Sequence, residues 1–421
     1  MDRVTKRRAA IPTNSAPGLR RSLSLGHATL YGLGVTVGAG IYVLIGAAAA
    51  HSAMYAPAAF AIAALLMALT AASFAELVSR APVAAGEAAY VALAFHSNRL
   101  ATAVGILVTG IAIISAATIS VGAAGYIAVF LPLPAVVLVA VVVLTMGAIA
   151  AWGIKESVTF VGVMTVIEVG GLVIVILAGI LFLPGLFSRL PEMVPPLQTP
   201  GTAGTILSTT LLAVFAFIGF ESLANVAEEV EDPPRTIPRA VFLTLVIATL
   251  LYMLVVWISL LAVPIPELVQ SSAPLALVFE RLTGLSPRFM SAIAIVATLN
   301  GIVIQIILAS RVLYGLSRQG QLPAILGEVN PKTRTPLFGT TITAALILLF
   351  ALFLPLHNLA DLTARLTLLV FAVVNLSLAR IKLRGDPPPQ AAFVTPTWVP
   401  WAGCATCTAL LAAELALETS L

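Results

Sequence analysis

Charged side chains are scarce in this sequence of 421 residues, where they make up only 10%. Average globular chains carry about 25% charged residues, and a soluble surface cannot be built from so few polar side chains. Apolar residues reach 60%, and the mean hydropathy is +1.07. This composition excludes a soluble protein and predicts an all-α membrane protein whose exterior is covered by lipid.

Cysteine is nearly absent as well. The two cysteines, Cys404 and Cys407, have the CxxC spacing of redox and zinc motifs, but they lie in an apolar stretch with no second CxxC or nearby histidine. We therefore predict no metal site and no cofactor. No set of a nucleophile and a base is recognisable, so the sequence does not indicate an enzyme.

Long apolar stretches recur along the chain. A helix needs about 20 apolar residues to cross about 30 Å of hydrocarbon, and we count eleven such stretches. They run over 27–50, 56–79, 100–130, 134–151, 158–183, 204–227, 239–263, 289–315, 338–355, 359–379 and 398–417. Trp152, Trp257, Trp398 and Trp401 lie toward the ends of these stretches, as aromatic residues at membrane interfaces do.

Lysine and arginine are distributed unevenly between the connections. Cytoplasmic loops of membrane proteins collect these residues. With the N-terminus inside, eighteen of the 22 basic residues fall on cytoplasmic segments, three fall outside and one lies within a span. We therefore place the basic tail, residues 1–26, in the cytoplasm of a multi-pass protein of the cell membrane. The net charge of +4 reflects this topology and gives no reason to expect a nucleic-acid partner.

Glycine is concentrated in the first span, at Gly34, Gly38 and Gly40. Each interior glycine costs a helix about 1 kcal/mol relative to alanine, so we predict an unwound turn there. Freed amide groups at the start of the second half-helix would bind an anion such as a carboxylate, aided by the helix dipole. Alternatively, Gly34 and Gly38 form a GxxxG packing face, which leaves Gly40 unexplained.

A second interruption is predicted in the sixth span, where Gly219 and Glu221 break an apolar run. Unwound carbonyl groups at the end of its first half-helix would suit a cation such as an ammonium group. One site for a carboxylate and one for an ammonium group together describe an amino acid.

The two interruptions fall in spans 1 and 6, the first helices of two successive five-helix units. Because five is odd, the second unit has the opposite orientation in the membrane. Interrupted helices at corresponding positions of inverted repeats point to the binding site of a transporter. We predict repeats over 27–183 and 204–379, then a cytoplasmic loop and one further helix over 380–421. A channel, the alternative from another class, would be expected to show a repeated filter segment, which is not evident.

Motifs spread over most of the chain resemble those of the amino acid–polyamine–organocation permeases, and within them the cationic amino acid transporter-like branch. The matching segments are 19–23 (LRRSL), 38–46 (GAGIYVLIG), 74–82 (FAELVSRAP) with 86–90 (GEAAY), 153–157 (GIKES), 217–221 (FIGFE), 228–238 (EEVEDPPRTIP) and 310–318 (SRVLYGLSR), then Asn330-Pro331 and Thr335-Pro336. The resemblance implies a leucine-transporter-type fold of five plus five helices, with alternating access around broken helices 1 and 6.

For the substrate's carboxylate, the resemblance implies the backbone amides of Ala39 and Gly40, in the turn that starts at Gly38. Ala39 stands where many relatives carry serine or threonine, which removes a hydroxyl contact but leaves the backbone donors. The chain also departs from the family in its number of spans, because members commonly have twelve or more and we count eleven here.

For the substrate's ammonium group, the resemblance implies the carbonyl groups of Thr36, Phe215 and Ile218. Phe215 would also close the site as an aromatic gate. Glu221, beside the second interruption, is then a candidate gating or proton-linked carboxylate.

Several polar side chains fall inside spans. Glu168 lies near the middle of the fifth span, where a charge costs roughly 2.5–3.5 kcal/mol on insertion scales, and some proton-coupled relatives carry a lysine there. It either carries the coupled proton or is a structural carboxyl bonded to a neighbouring helix. Asn300 and Gln305 either line the cavity or join helices by hydrogen bonds. We expect Glu76, at a span end, to make a fixed contact.

The sequence thus predicts a secondary active transporter that moves amino acids by alternating access and is coupled to protons. Amino acid exchange, or transport of polyamines and other organic cations, are the alternatives within the carrier class. The expected partners are an amino acid substrate, protons and the lipid bilayer.

Overall fold

The computed structural model describes residues 23–37, 40–81, 86–152, 158–195, 202–227, 230–333, 335–389 and 392–418. Most of these residues are helical, and a single bridge between Leu23 and Val230 is the only β contact among them. The helices, α1 to α15 in chain order, are Leu25–Val37, Gly40–Ser52, Ala56–Arg80, Gly86–Phe95, Asn98–Ala128, Ala135–Trp152, Val158–Phe182, Thr202–Phe217, Pro233–Ala262, Ile265–Gln270, Pro274–Thr283, Arg288–Arg318, Leu337–Phe353, Leu356–Leu383 and Trp398–Glu418.

Each of the eleven predicted spans coincides with one long helix or with two consecutive helical segments. Within the described part of the chain, eight helical segments are long and apolar enough to cross a membrane, and three shorter apolar helices accompany them. The predicted all-α membrane fold is confirmed. The inverted relation between units 27–183 and 204–379 stays a prediction.

Local sequence determines where several helices begin. Pro233 and Pro234 open α9, because proline has no N–H to leave unbonded in a first helical turn. The Ser97 side chain caps α5 by accepting the amide of Leu100 at 3.3 Å. Helices α5 and α12 each contain 31 residues, or about 46 Å at 1.5 Å per residue. They pack along one another and exceed the roughly 30 Å of hydrocarbon.

Large apolar side chains point outward where the bilayer would lie. Leu65 and Phe353, for example, are 71% and 74% exposed, which suits lipid far better than water. Three of the four tryptophans are also exposed, as expected at interfaces. Trp257 differs from the other three, since this side chain is 1% exposed and does not face the lipid. It is buried because α9 is enclosed by α1, α3 and α7.

Helix α4 occupies the connection between the second and third predicted spans. Hydropathy does not mark it as a span, since it has only 10 residues. It packs against α5 and α14, and its first turn carries Glu87.

A buried ion cluster ties the end of α3 to α14 and to the segment before α15. Glu76 is fully buried and lies 2.8 Å from the Arg80 guanidinium and 2.7 Å from the Lys382 ammonium. Its second oxygen also accepts the amide and hydroxyl of Thr395, at 2.8 and 2.7 Å. The predicted fixed contact of Glu76 is confirmed.

The last helix, α15, is anchored by a polar contact inside the bundle. Asn375 on α14 donates to the Thr70 hydroxyl at 2.9 Å and to the Phe371 carbonyl at 2.8 Å. Gly403 on α15 lies against the Asn375 amide, where a Cβ atom would collide with it. The Cys407 sulfur lies 3.7 Å from the same Thr70 hydroxyl, and both cysteines of the pair are free. The cysteines therefore belong to helix packing.

Candidate functional site

The sixth span is interrupted at the predicted position. Helix α8 ends at Phe217, and the chain resumes as a 3-10 turn at Phe220–Val226. Gly219, between them, has a φ of +136°, which residues other than glycine rarely adopt. The prediction of a broken sixth span is confirmed.

In the first span, α1 ends at Val37 and α2 begins at Gly40. Gly38 and Ala39, two of the predicted carboxylate-binding positions, lie outside the described residues. The flanking residues Thr36 and Gly40 are both buried.

A small cavity lies where the two interrupted spans meet α5 and α12. Of the predicted site residues, Thr36, Gly40, Phe215 and Ile218 line it together. The residues that complete the lining are Val35, Ser115, Ile119, Gly301, Ile304 and Gln305. The structure thus brings together four positions that are up to 182 residues apart in the chain, counting from Thr36 to Ile218.

Glycine allows the two interrupted spans to approach closely. A Cβ atom on Gly40 would fall 2.6 Å from the Cα of Ala216 in α8. Real side chains do not fit at such a distance, so the start of α2 packs backbone to backbone against α8. This contact explains Gly40 more fully than the GxxxG interpretation, which left this residue out.

Tyr252 joins the same two spans from α9. Its buried hydroxyl lies 2.7 Å from the Thr36 carbonyl oxygen and 2.9 Å from that of Ala216. A hydroxyl has one proton to donate, so the two carbonyls share it. Its ring also packs against Phe60 and Phe217, with centroids at 6.0 and 5.2 Å. Tyr252 therefore holds the end of α1 beside the end of α8.

Two of the three predicted ammonium-binding carbonyls, those of Thr36 and Phe215, already have partners within the protein. The Thr36 carbonyl accepts from Tyr252, and the Phe215 carbonyl accepts the amide of Ile218 at 3.2 Å. A carbonyl oxygen has two lone pairs, so each retains capacity for a second donor.

A second cavity continues from the first and contains two carboxyl groups. The cavities share Ile218 and Gln305. Glu221 from the broken sixth span and Glu87 from α4 both line the second one, together with mostly apolar side chains of α5, α12 and α14. Glu221 also accepts the amide of Gly219 at 2.8 Å, so it stabilises the interruption itself.

Glu168 is buried in α7 and is not among the residues that line these two cavities. Its Oε1 accepts the Asn300 side-chain amide at 3.2 Å, and its backbone carbonyl accepts the Tyr42 hydroxyl at 2.6 Å. The Tyr126 hydroxyl in turn donates to the Tyr42 carbonyl. Within the described residues, Oε2 of Glu168 is buried without a hydrogen-bond partner.

Asn300 and Gln305, whose roles the sequence left open, have different environments. Asn300 joins α12 to α7 through Glu168. Gln305 lines both cavities and donates to the Ser115 hydroxyl at 3.4 Å.

Sequence reasoning missed Glu87, Ser115 and Tyr252 as site residues. Glu87 carried a usable signal, because an acid directly after Gly86 in an otherwise apolar segment is unusual in so apolar a chain. Tyr252 carried none, since an aromatic residue within an apolar span is ordinary.

Comparison with known proteins identifies the family to which this chain belongs. A family model described as amino acid permease matches residues 23–416. The branched-chain amino acid permease BcaP of Bacillus subtilis (strain 168) is 26% identical over 404 residues, which cover 90% of this chain and 84% of the relative. The methylthioribose transporter of the same organism is 27% identical over 406 residues, covering 91% and 86%.

A plant relative is similar over a smaller share of its own length. The mitochondrial cationic amino acid transporter 3 of Arabidopsis thaliana is 29% identical over 388 residues, which cover 86% of this chain. The match covers 63% of that relative, so it leaves more than a third of the plant protein without a counterpart.

Proposed function

Because the chain belongs to the amino acid permease family, we propose that it moves amino acids across the cell membrane by alternating access. Family membership identifies a transporter and not an enzyme, as the sequence predicted. The observation that carries the proposal is the cavity between the two interrupted spans, lined by Thr36, Gly40, Phe215 and Ile218. Backbone groups freed at such interruptions recognise the part that all amino acids share.

In this proposal, the substrate's carboxylate binds at the start of α2. The first amides of a helix have no partner within it, and the helix dipole favours an anion there. Gly40 supports this role because it opens α2 and lines the cavity. Gly38 and Ala39, which precede it in the sequence, would supply the neighbouring backbone donors.

The substrate's ammonium group binds on the opposite side, at the carbonyls of Thr36, Phe215 and Ile218. Tyr252 supports this arrangement by fixing the Thr36 carbonyl while leaving one of its lone pairs available. The Phe215 ring, buried at the cavity wall, would close over the bound substrate as a gate.

Protons are the proposed coupling ion, with Glu168 and Glu221 as the candidate carriers. Glu168 is buried with one oxygen unpaired among the described residues, which suits a carboxyl that gains and loses a proton. Glu221 lines the second cavity and accepts the Gly219 amide at the interruption of the sixth span, so its charge would be linked to that span's geometry.

The membrane arrangement completes the proposal. The N-terminus lies in the cytoplasm, and units 27–183 and 204–379 form inverted repeats. The excess of basic residues on one set of connections supports this orientation, and the placement of the interruptions in spans 1 and 6 supports the repeat.

The test is uptake by the purified full chain in proteoliposomes. A panel of labelled neutral, basic and acidic amino acids, a polyamine and methylthioribose is supplied with and without an inward proton gradient. We expect uptake of at least one amino acid class, stimulated by the gradient, and a strong loss of uptake in Phe215→Ala.

Phe338→Ala serves as the matched control, because Phe338 is an exposed phenylalanine at the start of α13. It should transport like the wild type. Equal losses in both variants would remove Phe215 from the site. Uptake that does not respond to the gradient but requires amino acid inside the vesicle would indicate amino acid exchange instead of proton coupling. Uptake of only the polyamine or methylthioribose would overturn the substrate assignment.

A further inference from the structure

An amphipathic groove opens on the surface of the bundle at the end where α9 begins. It lies between the start of α1, the first turns of α9 and the segment that precedes α15, and it encloses about 620 Å³. One end of the groove is basic, with Arg235 and Arg239. The remainder is apolar, with Phe242, Leu243 and Val246 prominent in its wall.

The two arginines lie on one face of α9, one helical turn apart. Both are exposed. The Arg235 guanidinium is 3.7 Å from the Asp232 carboxylate, and both partners of this pair are more than half exposed. So loose an exposed pair contributes little, and it leaves most of the guanidinium donors of Arg235 able to bind an anion.

The apolar part of the groove runs from the arginines toward the middle of α9. Leu243 and Val246 line this part and follow Arg239 at helical spacing, and both are exposed. Leu250, also exposed, continues the same face of α9 beyond the groove. On the other side, the Phe393 ring packs against Phe242 with centroids 5.9 Å apart. The groove therefore has a cationic end at the edge of the membrane and an apolar floor that extends into it.

We propose that this groove binds an anionic phospholipid, with its phosphate between Arg235 and Arg239 and an acyl chain along Leu243 and Val246. Guanidinium groups bind phosphate through two parallel hydrogen bonds, and basic pockets beside spanning helices are suited to anionic headgroups. The charge pattern matches this occupant at both ends, since an anionic phospholipid carries a phosphate that glycerol joins to apolar acyl chains.

The chain's own N-terminal tail is the competing occupant, because the groove reaches Leu25. Charge argues against it. Residues 1–22 contain six basic residues and one acid, so the tail has the same sign as the arginines that it would have to cover. A lipid phosphate has the opposite sign.

Native mass spectrometry of the full chain in detergent tests the proposal. Phosphatidylglycerol and phosphatidylcholine of identical acyl chains are added in turn, and the lipid bound per protein is measured. We expect the wild type to retain phosphatidylglycerol in preference to phosphatidylcholine, and Arg235→Ala/Arg239→Ala to lower that preference about tenfold. The charge-preserving Arg235→Lys/Arg239→Lys should keep most of it and show that the fold is intact.

Arg318→Ala/Lys332→Ala is the matched control, because it removes two exposed positive charges outside the groove, one at the end of α12 and one in the connection to α13. It should leave the lipid preference unchanged. Equal loss in the control would mean that net charge alone attracts the lipid and would overturn the site. Displacement of the lipid by glycerophosphoglycerol, which has the headgroup without acyl chains, would reduce the groove to a simple anion site and overturn the lipid assignment as well.

Discussion

The backbone of Gly219 lies directly against that of Thr36, so that a Cβ atom on Gly219 would fall 2.8 Å from the Thr36 Cα. The interruption of the sixth span thus rests on the end of α1. The two interrupted spans therefore pack backbone to backbone at their interruptions.

Gly219→Ala should therefore abolish transport. The new methyl group would collide with Thr36, and the φ of +136° at this position would add about 1–3 kcal/mol of backbone strain. Uptake in proteoliposomes and thermal unfolding measure the two consequences. Gly204→Ala, in the same α8 helix with open space around its Cβ position, is the control and should behave as the wild type. Normal transport by Gly219→Ala would contradict the close backbone contact between Gly219 and Thr36.

Tyr252→Phe should slow transport while leaving the bundle folded. The substitution keeps the ring but removes the donor that two buried carbonyls share, at a cost of about 1–3 kcal/mol. We expect a lower maximal uptake rate and a lower Tm. Tyr314→Phe removes a hydroxyl from a half-buried tyrosine of α12 and provides the comparison. If the two variants are indistinguishable, Tyr252 does not position the broken spans.

Glu87→Gln should shift selectivity from basic toward neutral amino acids. The change removes the carboxylate from the second cavity, where a charge-assisted contact to a basic side chain is worth about 1.5–3 kcal/mol. The ratio of lysine to leucine uptake should fall about tenfold. Glu87→Asp should keep the ratio near that of the wild type. The exposed acid Glu328 offers the control, since Glu328→Gln removes the same charge away from the cavity. An unchanged ratio in Glu87→Gln would place the substrate side chain elsewhere.

Glu168→Gln separates the two roles left open for this residue. A glutamine carbonyl can still accept the Asn300 amide, so the helix contact survives. A coupling role predicts loss of gradient-driven accumulation with substrate binding and exchange retained. A structural role predicts near-normal accumulation in Glu168→Gln. Counterflow and gradient-driven uptake, measured on the same vesicles, distinguish the two.

Glu76→Gln should destabilise the protein by about 3–5 kcal/mol, because Arg80 and Lys382 would be left buried without their counter-charge. Thermal unfolding in detergent measures the loss. Glu267→Gln breaks the exposed pair between Glu267 and Arg281 and should cost no more than about 1 kcal/mol. Similar losses in the two variants would mean that the Glu76 cluster is solvated in the membrane.

Hydropathy predicted the spans well because each must cover a fixed thickness of hydrocarbon with its own residues. The interruption at Gly219 was also predictable, since a glycine and an acid within an apolar run are local signals. The residues that contact the interruptions from other helices were not predictable from the sequence. Tyr252 is 216 residues from Thr36, and only the packing of α9 against α1 brings them together. Glu87 had a local signal, an acid in an otherwise apolar segment, but its position in the cavity depends on the packing of α4, which lies outside the predicted spans.

The contact between Gly403 of α15 and the Asn375 side chain also has a consequence during membrane insertion. Spans enter the bilayer in the order of their synthesis, so α14 arrives with its asparagine before Gly403 and the rest of α15 have been translated. Until then, the Asn375 side chain has Thr70 and its own helix as partners, and the face that Gly403 later covers is open. A polar amide that faces lipid is unfavourable. This exposed amide is present only before α15 has packed against α14. A chain that lacks α15 would keep this face of Asn375 uncovered, and we expect it to be less stable than the full chain.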